Sequence, residues 1–110
     1  MVQDPVDVLC KAIPKLTDNL ESDQLEFATH QLDSLSHPLS IDDIRALISL
    51  LPTSGDTAFG LNWTILHAVE AAPAWPLWDA LEAEGHEWIH IFRLRLANAG
   101  IDPPAKARQA

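Results

Sequence analysis

Apolar residues recur at steps of three and four along most of the chain, the spacing of one face of an α-helix. Five segments carry this pattern. Their apolar positions are Val6, Leu9, Cys10 and Ile13; Leu25, Ala28, Leu32 and Leu35; Ile41, Ile44, Leu47, Ile48 and Leu51; Ile65, Leu66, Val69 and Ala72; and Trp88, Ile89, Phe92, Leu96 and Ala99. We find no alternating pattern between turn signals that would indicate a strand. The chain is therefore predicted to be all-α.

Capping residues predict where the first three helices begin. Asp4 is the expected N-cap of the first helix, with Pro5 at its first position, and Ser22 is the expected N-cap of the second. Ser40 with Asp43 three residues later forms the pattern of a capping box for the third. The expected helix stops are Pro14, Pro38, Pro73, Gly85 and Gly100.

Residues 59–78 hold three of the four tryptophans and predict a nearly buried central helix, with Trp63 on the flank of its apolar face. Pro73 and Pro76 interrupt this segment, and Pro76 is expected to begin a short fifth helix that runs to Glu84. A sixth helix is expected from about residue 86 to residue 99. Trp75 and Trp78 fall at the corner, where large rings can lock two helices together.

These elements predict one domain over residues 1–110, a bundle of about five to six short antiparallel helices. Stacked helix pairs of the HEAT type are the alternative arrangement, although no sequence period is clear. Residues 1–3 and 102–110 are expected to be frayed tails.

Composition points to a soluble cytoplasmic protein. Hydrophobic residues make up 47% of the chain, which is typical of globular domains. The single cysteine, Cys10, cannot form an intrachain disulfide, which fits a reducing compartment. Residues 1–5 lack the pattern of a signal peptide. The most apolar run, residues 71–78, is short and broken by prolines, so no membrane span is expected.

Charge is unevenly distributed. Residues 1–92 contain fifteen acidic and three basic side chains, a net charge of −12, whereas residues 93–110 carry four basic and one acidic, a net charge of +3. An acidic body repels nucleic acid and anionic membranes and attracts a basic partner. The alternative is that the acidic surface only keeps the protein soluble.

The segment His86-Glu87-Trp88-Ile89-His90 matches H-E-x-x-H, in which two histidines on one helical face bind zinc and the glutamate activates water. A catalytic zinc needs a third protein ligand, and Arg93 stands where the extended motif has glycine. His86 could instead cap the helix. We therefore keep a small zinc-dependent peptidase as an alternative and expect neither cofactor nor metal.

Several motifs resemble small acidic helical immunity proteins, which bacteria encode beside polymorphic or contact-dependent growth-inhibition toxins. The motifs are Gly55-Asp56-x-x-Phe59-Gly60-Leu61-Asn62-Trp63, then Glu70-Ala71-x-Pro73-x-Trp75-Pro76, Trp88, and Arg93-Leu94-Arg95-Leu96-x-Asn98-Ala99-Gly100. The resemblance spans about residues 45–100. It implies a protein that is not an enzyme but binds a cognate toxin domain in the cytoplasm and blocks it.

Many such toxins are nucleases with basic clefts, so the implied partner is a basic protein, with no binding to nucleic acid or membrane. Acidic residues in loops and at helix ends are the best candidates for the interface, because they present charge without giving up core packing. The candidates are Asp42, Asp43, Asp56, Asp79, Glu82, Glu84 and Glu87. Asp23, Glu26 and Asp33 on the second helix are less favoured. A third hypothesis is an adaptor for another basic protein.

Overall fold

The computed structural model describes residues 1–103, which form five α-helices, one short 3-10 turn and no strand. The helices are α1 (Asp4–Ala12), α2 (Ser22–Asp33), α3 (Ile41–Ser49), α4 (Leu61–Glu70) and α5 (Glu87–Asn98), and the 3-10 turn is Trp78–Leu81. The prediction of a small all-α protein is confirmed. Most of the expected C-terminal tail, residues 104–110, lies outside the described residues.

The first four helices pack as two stacked pairs. Helix α1 contacts α2, and α3 contacts α4, while α1 also lies on α3 and α2 on α4. Helix α5 packs against the 3-10 turn. Buried side chains from all of these elements form one hydrophobic cluster, in which Trp88 and Phe92 of α5 are the largest fully buried residues. One core therefore joins the N-terminal pairs to α5. No helix within residues 1–103 is long and apolar enough to cross a membrane.

The N-caps of α1 and α2 each lie one residue before the position expected from the sequence. Gln3 is the N-cap of α1, so Asp4 lies inside the first turn. Glu21 is the N-cap of α2 in place of Ser22, and its backbone N–H donates to Gln24 Oε1 at 2.9 Å. Both expected caps still sit in the first turn, where short polar side chains are common; sequence patterns often misplace a helix end by a residue.

The third cap is confirmed, and it also fixes the N-terminus. Asp43 N–H donates to Ser40 Oγ and Ser40 N–H donates to Asp43 Oδ2, both at 3.1 Å. Gln3 donates its backbone N–H to Asp43 Oδ1 at 2.8 Å and its side-chain amide to Asp43 Oδ2 at 2.9 Å. The terminal amine of Met1 forms an ion pair with Asp42. Residues 1–3, which the sequence leads us to expect as frayed, are therefore bonded to α3.

The expected fifth helix is reduced to the 3-10 turn. Of residues 76–84 only Leu81 is fully buried, while Leu77, Trp78 and Ala80 are partly buried against the core. The guanidinium of Arg93 donates to the carbonyl oxygens of Leu81 at 2.6 Å and Ala83 at 3.3 Å. A side chain from α5 thus satisfies carbonyl groups that a continuing helix would have used.

Two expected core positions lie at helix ends and are exposed. Ile41, the first residue of α3, is 48% exposed, and Ala99 follows the last residue of α5 and is also exposed. The apolar periodicity correctly identifies the middle of each helix, but it cannot show where the neighbouring element stops covering it.

Candidate partner-binding surface

The loop of residues 53–60 contains an unusual run of backbone conformations. Ala58, Phe59 and Gly60 have successive φ angles of 49°, 57° and 93°, all in the left-handed region. For residues other than glycine this region costs about 1–2 kcal/mol per residue. Strain of this kind persists only where the surroundings fix it, and it is concentrated at functional sites.

Carboxylates from two parts of the chain hold this loop. Asp18 Oδ1 accepts from the backbone N–H of Ala58 at 2.9 Å, and Asp56 Oδ2 accepts from the backbone N–H of Asp18 at 3.1 Å. Asp56 Oδ1 also accepts from the hydroxyl of Ser54 at 3.0 Å. The two aspartates therefore tie the α1–α2 connection to the loop.

The base of the loop rests on two buried side chains. The backbone carbonyl oxygen of Asp56 accepts from Asn62 Nδ2 and from Trp88 Nε1, both at 2.8 Å. Asn62 is fully buried, and its Nδ2 also donates to the carbonyl oxygen of Leu16 at 2.9 Å. Its Oδ1 has no hydrogen-bond partner among the described residues. Hydrogen bonds thus connect the loop to the α1–α2 connection, to α4 and to α5.

Two aromatic rings next to this base are open to solvent. Phe59 is 67% exposed and Trp63 is 38% exposed. The ring of Trp63 packs on that of Trp88 in a T-shaped arrangement, with the ring centroids 5.0 Å apart. The centroid of the His67 ring lies 6.4 Å from that of Trp63. We call Phe59 and Trp63 the anchor pair. Large exposed aromatic side chains are characteristic of binding surfaces when they occur together.

The structure gathers three of the candidate acids at the start of α5. Glu84 and Glu87 line a cleft of about 270 Å³ together with His86, His90 and Arg93. Glu82 lines a neighbouring cleft to which Arg93 also contributes. We call Glu82, Glu84 and Glu87 the acidic cluster. All three are exposed, and one guanidinium among three carboxylates leaves this end of the molecule negative.

Glu87 links the acidic cluster to the loop. Its backbone N–H donates to the carbonyl oxygen of Thr53 at 3.0 Å. Gly55, at φ 82°, lies so close that a β-carbon there would stand 3.1 Å from Glu87 Cβ. The positive φ and the close approach of Glu87 therefore favour glycine where the loop meets α5. Asp56, the candidate acid within the loop, lies one residue further on.

The other three candidates lie elsewhere or have other partners. Asp42 is paired with the N-terminal amine at the start of α3. Asp79 forms an ion pair with Arg45 at 2.9 Å. Asp43 is buried. Burial by itself raises the pKa of Asp43, but the hydrogen bonds from Gln3 and Ser40 outweigh it and hold the pKa below its ordinary value. Because its carboxylate serves the capping box, we remove Asp43 from the candidate interface.

The first histidine of the H-E-x-x-H segment caps α5 and does not lie within the helix. His86 is the N-cap of α5, with φ −114° and ψ 110°, and its Nδ1 accepts from the backbone N–H of Ile89 at 3.4 Å. Burial lowers the pKa of His86, which favours the neutral imidazole that can accept this bond. Within residues 1–103 no group of three or more histidine, cysteine, aspartate or glutamate side chains is arranged to hold a metal ion.

The two histidines should respond differently to mutation. Replacing His86 with alanine should lower the free energy of unfolding by about 0.5–2 kcal/mol, the cost of a lost helix cap. His90→Ala should change it by less than about 0.5 kcal/mol, because His90 is exposed. Thermal melts of both variants with and without added zinc test this. A zinc-dependent rise in melting temperature that both substitutions abolish would support the peptidase alternative instead.

The sequence alone did not identify the anchor pair or Asp18 as parts of a site. In the sequence Phe59 is part of a motif that resembles a family, and Trp63 is expected on the flank of a buried helix face. A usable signal was present: Phe59 precedes Gly60 in the longest loop, and the residue expected to cover a ring at that position, Thr64, is polar. Asp18 carries no local signal, because its partner Ala58 is forty residues away.

The chain matches no protein-family model, no curated protein and no solved structure.

Proposed function

We propose that this protein is an immunity protein that binds a basic toxin domain in the cytoplasm and neutralises it by stoichiometric binding. The resemblance of residues 45–100 to small acidic immunity proteins suggests this function. The net charge of −12 over residues 1–92 supports a basic partner independently of that resemblance.

One observation carries the proposal. Three other surface acids pair with basic side chains: Asp7 with Lys11, Glu70 with Arg95 and Asp79 with Arg45. In the described residues, Glu82 and Glu84 of the acidic cluster form neither an ion pair nor a side-chain hydrogen bond. Uncompensated carboxylates grouped at one end leave a directed negative field for a partner to complement.

Neutralisation would follow from the position of these charges. A toxin cleft that binds phosphate presents cationic side chains, and exposed carboxylates can occupy the same positions as the phosphates. The negative end would also steer the toxin into contact, since long-range attraction raises association rates. The protein then acts by excluding substrate, without a chemical step of its own.

Reversing two charges of the acidic cluster tests this function. The proposed function expects the cognate toxin domain to be encoded beside this gene. In the Glu82→Lys/Glu84→Lys variant, association with that domain should slow by about tenfold or more at low salt. Glu26→Lys/Asp33→Lys on α2 is the matched control, because it changes the net charge equally at two exposed positions. The control should slow association far less. Stopped-flow measurements across a salt series give both rates.

Growth of cells that express the toxin provides the second readout. The cluster variant should lose protection while it keeps its helical circular-dichroism signal. If both double variants slow association equally, only net charge matters and the acidic cluster is not the interface. If the toxin domain does not bind the unmodified protein, the proposed function is wrong.

A further inference from the structure

We infer that the anchor pair, Phe59 and Trp63, is the apolar centre of the docking surface. The occupant would be a basic protein that receives the Phe59 ring in an apolar pocket and places cationic side chains beside Asp18, Asp56 and Glu87. This inference rests on the proposed function for the partner's charge. The inference specifies where that partner docks and that its surface carries an apolar pocket with cationic side chains beside it.

The conformation of Phe59 is the first argument. The residue combines a left-handed backbone with a ring that is 67% exposed. A phenylalanine just before an N-cap can stabilise a helix by packing on the fourth helical residue, but in α4 that residue is Thr64. Glycine would adopt the same backbone without strain and would expose no ring. The folded chain gains little from this phenylalanine, so its benefit is expected in a complex.

Rigidity of the loop is the second argument. The backbone that carries Phe59 is held by Asp18 on one side, while Asn62 and Trp88 hold the carbonyl of Asp56 below it. Trp63 packs against the buried Trp88 ring. A partner therefore meets aromatic side chains that are already in position, and binding them costs little conformational entropy. Preorganised aromatic residues at the centre of an interface are typical hot spots.

The surrounding charge selects among possible occupants. Asp18 and Asp56 lie within the loop's own hydrogen-bond network, and the side chain of Glu87 lies against Gly55. A second copy of this chain would bring the same carboxylates against these, and an anionic membrane would bring phosphates. Both approaches are repulsive. A basic protein brings the complementary charge, and its arginine side chains can also stack on exposed rings.

Replacing Phe59 with glycine separates binding from folding. Phe59→Gly should keep or raise the melting temperature. At the same time the dissociation constant for the toxin domain encoded beside this gene should rise by at least about tenfold, mainly through faster dissociation. Phe59→Ala should weaken binding to a similar extent without relieving the backbone. Leu94→Ala is the matched control, because Leu94 is another apolar residue that is 48% exposed, on α5. The dissociation constant of this variant should change by less than about threefold.

The outcomes distinguish this inference from the proposed function. If Phe59→Gly binds as tightly as the unmodified protein while the charge reversal at Glu82 and Glu84 still slows association, the function stands and the anchor pair is not the docking centre. If Phe59→Gly lowers the melting temperature more than Leu94→Ala does, the ring is structural and the inference is wrong. Sedimentation of the unmodified protein as a dimer that Phe59→Gly converts to a monomer would identify a second copy as the occupant. Failure of the unmodified protein to bind the toxin domain overturns both proposals.

Discussion

Replacing Trp88 with alanine should lower the free energy of unfolding by about 3–5 kcal/mol, the range for removing a large buried aromatic side chain. Trp88 is fully buried, and it packs against Trp63. Its Nε1 donates to the carbonyl oxygen of Asp56 at 2.8 Å, so the alanine variant would also lose a bond that holds the 53–60 loop. Urea denaturation followed by circular dichroism measures this loss.

Trp63→Ala is the natural comparison, because the two rings touch but differ in exposure. With 38% of Trp63 in solvent, its removal should cost only about 1–2 kcal/mol. Trp78, which the sequence places at a packing corner with Trp75, is also only partly buried. Equal losses for Trp88→Ala and Trp63→Ala would contradict the burial seen in the structure. Trp88→Phe should fall between them, since it keeps most of the ring volume but loses the Nε1–H donor.

Replacing Asn62 should produce the second large effect. Asn62→Ala should cost about 2–4 kcal/mol, because it leaves a cavity and removes both Nδ2 hydrogen bonds in a fully buried position. The carbonyl oxygen of Leu16 loses its side-chain donor, whereas that of Asp56 keeps Trp88. The loss should appear in urea denaturation, and the loop should become more sensitive to protease.

Asn62→Asp tests the role of the amide donors separately from the volume of the side chain. A carboxylate would replace the amide donors with acceptors that face two carbonyl oxygens, and an unpaired buried charge is more costly than a cavity. This variant should therefore be less stable than Asn62→Ala at neutral pH and should recover stability as acid protonates the new carboxyl group. Thr64→Ala, on the exposed side of the same helix, should change stability by less than about 0.5 kcal/mol. An Asn62→Asp variant as stable as Thr64→Ala would show that the buried amide does not hold the loop.

The candidate interface shows which partner-binding residues a pattern of charges in the sequence can predict and which it cannot. The sequence places Asp79, Glu82, Glu84 and Glu87 around an expected fifth helix; in the structure all four are exposed, and the helix is reduced to a 3-10 turn. The sequence treated Asp43 as equivalent to them. The capping pattern with Ser40 was visible in the sequence, but the two bonds from Gln3 join residues forty positions apart. Only the tertiary structure shows that the carboxylate of Asp43 already accepts hydrogen bonds from Gln3 and Ser40.

The sequence by itself determined the all-α class, the buried faces in the middle of the five α-helices and the Ser40–Asp43 cap. These features depend on residues within one or two helical turns of one another, so the spacing of apolar and capping residues in the sequence is enough to predict them. Tertiary structure decided which tryptophan is buried, why the 76–84 segment stops at one 3-10 turn, and how residues 58–60 hold a left-handed backbone. Each of these depends on distant partners, such as Arg93 for Leu81 and Asp18 for Ala58. A long-range hydrogen bond can override local preference because it satisfies a backbone group that would otherwise be buried without a partner.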